Sequence, residues 1–362
     1  MKVSVIIPVY NVENYVADCI RSVLRQTYSN IEVVIVDDCT KDNSMEVVAD
    51  VLDSEKTTFG VEIVRHETNG GLSAARNTGI RRSTGDFLYF LDSDDEITPD
   101  CIEKLVTRQQ ENGADIVVGG YDIVNARKDF IYPVLSTRSS IINKRKDVIR
   151  EYMRGNIYVM AWNKLIRRKF LYDNGLYFKE GLVHEDDLWS FRCACCADRV
   201  GVVKDKTYIY KIRSGSIMDY VRFEKEVEWR TIILKEMLEC VAEKGLGSNR
   251  HVFSRLQEEK LSILYQCRKY NYRDVAKEWY SGLDVRVAGL WRILGWYFFN
   301  TRKMIRDAHY FLGVPDNEEY YWNMPDYMWN TARKKRYFYL WFVKVLIYRS
   351  MRIKRNSGLP FA

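Results

Sequence analysis

What the sequence lacks narrows it first. No apolar run approaches the roughly 20 residues that a membrane-spanning helix needs; the longest near the C-terminus, Tyr337 to Tyr348, has 12 residues and contains Lys344. Met1 runs almost directly into Val3-Ser4-Val5-Ile6-Ile7, so no leader is expected ahead of the first apolar stretch. The eight cysteines (Cys19, Cys39, Cys101, Cys193, Cys195, Cys196, Cys240, Cys267) form no framework of spacings. These absences give the expectation of a reducing, cytoplasmic compartment. Acids are missing from Tyr327 to Ala362, where nine basic residues stand, so the preceding 326 residues carry a net −2 within a total of +7.

Several chemistries are missing as well. Four histidines offer no Ser-His-Asp arrangement. Cys193, Cys195 and Cys196 near His184 have no C-x-x-C partner, which argues against zinc. No Gly-Lys-Ser/Thr follows Asn69-Gly70-Gly71, so that loop is not a Walker A element. Ile97 stands where a calcium loop starting at Asp92 requires glycine.

What is there is a chain of 362 residues, 47% apolar, long enough for two domains with buried cores. The first hundred residues alternate strand and helix patterns. Strands are expected at Val3 to Val9, Ile31 to Val36, Val61 to Val64 and Phe87 to Leu91, and helices at Glu13 to Gln26, Asn43 to Leu52 and Leu72 to Arg82. This predicts a Rossmann-like half-domain, whose ligand crevice lies beyond the carboxyl ends of the strands. A further strand (Ile116 to Gly119), ribbons around Ile123 to Leu135 and a helix near Lys144 to Met153 follow. Beyond Phe223 the pattern is helical and rich in tryptophan, so a boundary falls near residue 220.

Polar residues collect at the expected rim. Asp37-Asp38 closes the second strand, where a carboxylate can accept hydrogen bonds from a nucleoside or cap a turn. Asp92-Ser93-Asp94-Asp95 sets three carboxylates in four residues after the fourth strand. Such acids repel one another unless a cation is present, and Mg²⁺ or Mn²⁺ binds through one or two carboxylates plus substrate phosphates; an acidic turn before a helix is the plainer alternative. Gly70-Gly71 opens a helix carrying Arg76, which can pair with a phosphate or with the acidic cluster. Glu185-Asp186-Asp187 opens another helix, either as acids favoured by the macrodipole or as the source of a general base.

Together, Val3 to Asn11, Val36-Asp37-Asp38, Gly71-Leu72-Ser73-Ala74-Ala75-Arg76-Asn77-Thr78-Gly79 and Phe90-Leu91-Asp92-Ser93-Asp94-Asp95 resemble the family 2 glycosyltransferases of the GT-A fold. Trp162-Asn163-Lys164-Leu165, His184 to Leu188 and Tyr210 to Ile217 are similar to the continuation found in bacterial capsule, exopolysaccharide and O-antigen members. The resemblance implies a GT-A Rossmann-like mixed sheet flanked by helices over residues 1–220, with a mainly helical region over 221–362. It implies a nucleotide-sugar pocket lined by Pro8, Tyr10, Asn11 and Glu13, with Asp38 on the base, uracil by preference, and Arg76 near the base or diphosphate. Asp92 and Asp94 match a D-x-D element, Asp92 toward ribose or sugar and Asp94 on the Mn²⁺ or Mg²⁺. Asp186 is the expected base of an inverting transfer, with Glu185 and Asp187 as alternatives; Asp95 receives no role.

The implied acceptor is a glycan or polyprenyl-linked glycan in surface polysaccharide synthesis. The basic aromatic stretch Arg333 to Lys344 is then expected to touch the inner face of the cell membrane rather than nucleic acid. Two other functions stand beside this one. A sugar-nucleotide nucleotidyltransferase would need an early glycine-rich signature where Pro8-Val9-Tyr10-Asn11 stands. A non-catalytic membrane-bound scaffold would have no use for intact Asp92, Asp94 and Asp186.

Overall fold

A computed structural model describes residues 1–55, 57–125, 135–212 and 223–249, with scattered positions from 251 to 275. Two compact units are distinguished, Met1–Trp229 and Arg230–Ala362. The expected ribbon over 126–134, the Ser214 to Ile217 motif and the basic aromatic stretch at Arg333 lie outside the described residues.

The chain opens as alternating strands and helices: β1 (Val3–Val9), α1 (Val16–Leu24), β2 (Ile31–Asp37), α2 (Ser44–Ser54), β3 (Gly60–Arg65), α3 (Leu72–Arg82) and β4 (Phe87–Phe90). After these come β5 (Glu96–Ile97), α4 (Cys101–Asn112), β6 (Ile116–Val124), β7 (Ile141–Ile142) and α5 (Arg145–Met153). The first unit continues with β8 (Lys164–Arg167), α6 (Arg168–Asp173), α7 (Glu185–Cys196) and β9 (Val200–Lys211), and the last described helix is α8 (Phe223–Glu243).

The strands form one sheet in the order β3-β2-β1-β4-β8-β6-β9-β5, with β7 on β9. β3, β2, β1 and β4 are mutually parallel, as crossover helices require. β8 then runs antiparallel to both β4 and β6, which makes the sheet mixed. All seven residues of β1 are buried, because helices cover both faces of its part of the sheet. α1 buries Val16, Cys19, Ile20 and Val23, the spacing of one helical face. α3 approaches β1 so closely that a Cβ on Gly79 would run into the Ile6 side chain.

Differences from the sequence expectations have local causes. The strand expected at Ile116 to Gly119 continues to Val124, because the register against β9 shifts at Gly119 and Gly120 and pairing then resumes. That shift absorbs Ile123 and Val124 from the expected ribbon. β9 was not anticipated, since its middle residues, Lys204 to Lys206, are exposed and charged and break the apolar pattern. β8, at four residues, is too short to show a period.

Asn163 sits at the centre of this irregular half. It is fully buried, with φ of 55°. Its amide nitrogen donates to Gly120 O at 2.8 Å, and its oxygen accepts from Tyr89 Oη at 3.1 Å and Thr207 Oγ1 at 3.0 Å. One side chain thereby satisfies the polar groups that the register shift leaves inside the protein.

Candidate active site

The carboxyl edge of the parallel strands carries the acids. After β1, Asn11 adopts a left-handed conformation, and its N–H donates to Thr40 Oγ1 at 2.8 Å. Glu13 accepts from Asn43 N at 3.0 Å and donates its own N–H to Asp42 at 2.9 Å, so the β1 and β2 exits are fastened together. Pro8 is buried within β1, while Tyr10, just past its end, is 37% exposed.

After β2 the two aspartates separate in role. Asp37 is taken up locally, accepting from Thr40 N at 2.8 Å and Arg65 Nε at 2.7 Å. Asp38 accepts from Gly70 N at 2.8 Å and Gly71 N at 2.7 Å, and its Oδ1 lies 2.7 Å from His66 Nδ1. Gly71 has φ of 82°, a conformation that favours glycine. The amides of Gly70 and Gly71 ahead of α3 are therefore occupied by the protein's own carboxylate.

Arg76 is the hub. It is 1% exposed, and Nη1 donates to Glu185 at 2.8 Å and to Asp186 Oδ1 at 2.9 Å, while Nη2 donates to Asp92 Oδ1 at 2.8 Å. The Phe178 ring covers the guanidinium 5.2 Å away. Asn77, the next residue, fixes that cover by donating to Phe178 O and accepting from Phe178 N, both at 2.9 Å. Residues 109 and 110 positions apart in sequence thus meet on one cation.

Exposure separates the three acids. The side chains of Asp92 and Asp186 are 24% and 20% exposed, whereas Glu185 is at 9%. Asp186 and Asp92 can meet a ligand; Glu185 is nearly sealed. Asp186 Oδ2 also accepts from Ala161 N at 3.1 Å, so both of its oxygens are oriented. Burial raises the pKa of Asp186, with Arg76 resisting and Asp92 assisting. Burial also pushes Glu185 up to about 7, with Asp186 assisting and Arg76 resisting. Arg76 stays charged: burial works against it, and Asp186, Asp92 and Glu185 outweigh that cost.

The raised Glu185 pKa gives a pH dependence of stability. The ordinary value is 4.5, and in the fold it is about 7. The native state therefore holds this proton more tightly, so the contribution is fully present below pH 4.5 and is lost as pH rises through about 7. The loss is on the order of 3 kcal/mol. Glu185→Gln removes it, so melting curves from pH 5 to pH 8 should decline less in the variant; parallel declines would count against the assignment.

The acidic turn follows β4. Asp95 N donates to Asp92 O at 3.1 Å, closing the turn, and Cys19 Sγ donates to the same carbonyl. Asp95 is buried, accepting from Tyr208 Oη at 2.7 Å and Lys211 N at 2.8 Å. Burial raises its pKa well above the usual carboxylate range, and the charges of Asp94 and Asp92 raise it further. Asp95 thus anchors the turn to β9, a role the sequence did not reveal, while half-buried Asp94 shares the turn with Asp92. Among the described residues no three His, Cys, Asp or Glu side chains enclose a cation position. The donor set still fits a Mg²⁺ or Mn²⁺ that takes one or two carboxylates from this mutually repelling turn and completes its shell with phosphate and water.

A mixed sheet led by parallel strands, with its acids at the carboxyl edge, places the protein in the GT-A class of folds. Staphylococcus aureus TarS 1-349, solved with UDP-GlcNAc, superposes with a TM-score of 0.63 at 22% identity, covering 92% of this chain and 90% of that one. The mannosyltransferase PcManGT from Pyrobaculum calidifontis, solved with GDP-Man and Mn²⁺, gives 0.51 at 16% identity, over 95% and 87%. In sequence, residues 4–175 match the model of glycosyl transferase family 2, and the chain carries a domain of that family. The glycosyltransferase GlyA of Streptococcus pneumoniae is 32% identical over 271 residues, 72% of this chain but 38% of GlyA, so the chain spans well under half of that relative. TarS, a poly(ribitol-phosphate) beta-N-acetylglucosaminyltransferase, is 30% identical over 280 residues, 73% of this chain and 46% of TarS.

Asn77, Phe178, Lys164 and Tyr208 escaped the sequence reading as contributors to the site. Asn77 and Lys164 lay inside motifs noted there, and a polar residue next to Arg76 or opening a strand was the available signal. Phe178 had none. No described helix is long and apolar enough to cross a membrane.

Proposed function

We propose that the protein is an inverting, metal-dependent glycosyltransferase moving a sugar from a UDP-sugar to a hydroxyl of a glycan or lipid-linked glycan during surface polysaccharide synthesis. The observation that carries this is the Arg76 cluster, in which one guanidinium draws the donor-side Asp92 and the base candidate Asp186 to a single point. The TarS complex with UDP-GlcNAc and the beta product in that protein's name favour a UDP donor and inversion. The PcManGT complex favours a divalent metal.

Asp94 and Asp92 would hold the Mn²⁺ or Mg²⁺, which when bound neutralises the diphosphate leaving group. Pro8, Tyr10, Asn11 and Glu13 line the nucleotide pocket, with Asp38 at its base-recognising wall. Asp186 takes the proton from the acceptor hydroxyl as that oxygen attacks the anomeric carbon opposite the leaving group. Its side chain keeps 20% of its surface open, through which it can meet a hydroxyl, while Arg76 and Ala161 keep it aimed. Arg76 favours the ionised form that a base needs, and burial keeps that form basic. On this reading the acceptor arrives at the inner leaflet, and Arg333 to Lys344 is the stretch that meets anionic lipid.

A panel of UDP- and GDP-sugars with Mn²⁺ or Mg²⁺ tests the proposal, read as nucleoside diphosphate release and as melting-temperature shift. At least one UDP-sugar should turn over; a panel with neither turnover nor shift would sink it. Asp94→Ala should abolish the metal-dependent part of UDP binding in calorimetry, at least about a tenfold loss. Equal affinity with and without Asp94 would remove the metal assignment.

A further inference from the structure

Lys164 is 4% exposed, an unusual setting for a lysine. It opens β8 directly after Asn163. Its Nζ lies 3.2 Å from Tyr158 O and 3.3 Å from Val159 O, also donates to Met160 O, and reaches Ser190 Oγ at 3.0 Å. Three successive carbonyls therefore face one amine. An ammonium has three donors and no acceptor, so the charged form suits this all-oxygen cradle. Burial lowers its pKa to about 8, which leaves it charged at neutral pH. The rings of Tyr158 and Trp189 add to the cradle at 5.1 Å and 5.9 Å. A cavity of about 30 Å³ beside it is lined mainly by apolar groups such as Val118, Tyr152 and Ala194.

The groups that Lys164 holds lead to Asp186 from two directions. The residue after the three carbonyls is Ala161, whose N–H orients Asp186 Oδ2. Ser190 lies one turn after Asp186 on α7, and its hydroxyl also donates to Val159 O. The ammonium thus ties the segment that aims the carboxylate to the helix that carries it. Its charge acts in the same sense, favouring the ionised form of Asp186.

We propose that Lys164 is a positioning residue for the reaction, fixing Asp186 by clamping residues 158–160 onto α7 through Ser190. It touches no reacting atom. The inference rests on Asp186 serving as the base, and it predicts a loss in rate without a matching loss of nucleotide.

The test uses the full chain and two variants, Lys164→Met and Ser190→Ala. Lys164→Met should lower kcat for Mn²⁺-dependent hydrolysis of UDP-GlcNAc by about 10- to 100-fold, with UDP affinity unchanged within about twofold. Hydrogen–deuterium exchange should quicken at the Ala161 amide in both variants, and less in Ser190→Ala, which leaves the carbonyl contacts in place. A fall in UDP affinity as large as the fall in kcat, or unchanged exchange at Ala161, would overturn the proposal. A wild-type chain that binds no UDP and leaves UDP-GlcNAc intact counts against the donor assignment alone, and the exchange measurement still decides the role of Lys164. If Lys164→Met does not fold, Ser190→Ala decides it.

Discussion

Asp186→Asn is expected to lower the transfer rate by about a thousandfold, within the range for loss of a general base, while donor affinity changes by no more than about twofold. The substitution keeps shape and removes basicity. It also has a local cost, because the carboxylate accepts from Arg76 at one oxygen and from Ala161 at the other. An amide can accept at only one end, so one of those donors loses its partner, at roughly 1 kcal/mol. Melting curves should register that small loss, and steady-state kinetics the large one. In the wild type, the acid limb of kcat/KM should lie above the ordinary carboxylate range, since burial raises Asp186. A variant that keeps more than a tenth of the rate, or loses donor affinity in step with rate, would remove Asp186 from the role of base.

The second large effect is on folding. Arg76→Ala leaves Asp92, Glu185 and Asp186 converging on an empty position, and breaking a buried ion cluster from one side costs about 3–5 kcal/mol. The cost should shrink toward pH 5, because carboxyl groups whose pKa values are raised can take up protons instead of repelling one another. Arg76→Lys should fall between the two proteins. A single ammonium cannot reproduce a planar fork whose two nitrogens serve three carboxylates. Thermal melts at pH 5 and pH 8 measure this; an Arg76→Ala protein melting within about 2 °C of wild type at pH 8 would contradict it.

The half of the fold that obeys simple periods was legible in the sequence. β1 and α3 fall at the bounds their patterns predict, Val3–Val9 and Leu72–Arg82. The parallel order of β1 to β4 follows from helices between strands. The other half resisted for identifiable reasons. β9 carries its charged residues at a register shift, β8 is four residues long, and the polar centre that joins them is a single asparagine. The site divides similarly. Asp92 and Asp186 stood out as candidates because acids at strand and helix ends are informative, whereas their meeting on Arg76 needs Asp186 to return across 110 residues of chain to that arginine. Arg76 had been offered to a phosphate or to the acids, and burial shows it already enclosed by the acids. No local pattern could have reported Phe178 lying over Arg76 or Lys164 beneath the 158–160 carbonyls.

Asp38 has a thermodynamic consequence. By holding Gly70 and Gly71 and pairing with His66, it stitches the exit of β2 to the segment preceding α3. On the proposed reading, in which a nucleobase docks there, most of the conformational freedom of that wall is surrendered when the chain folds and not when the base arrives. Association there should accordingly be quick and lose little entropy, with discrimination among bases set by a rigid surface rather than by a loop that reshapes itself around each one.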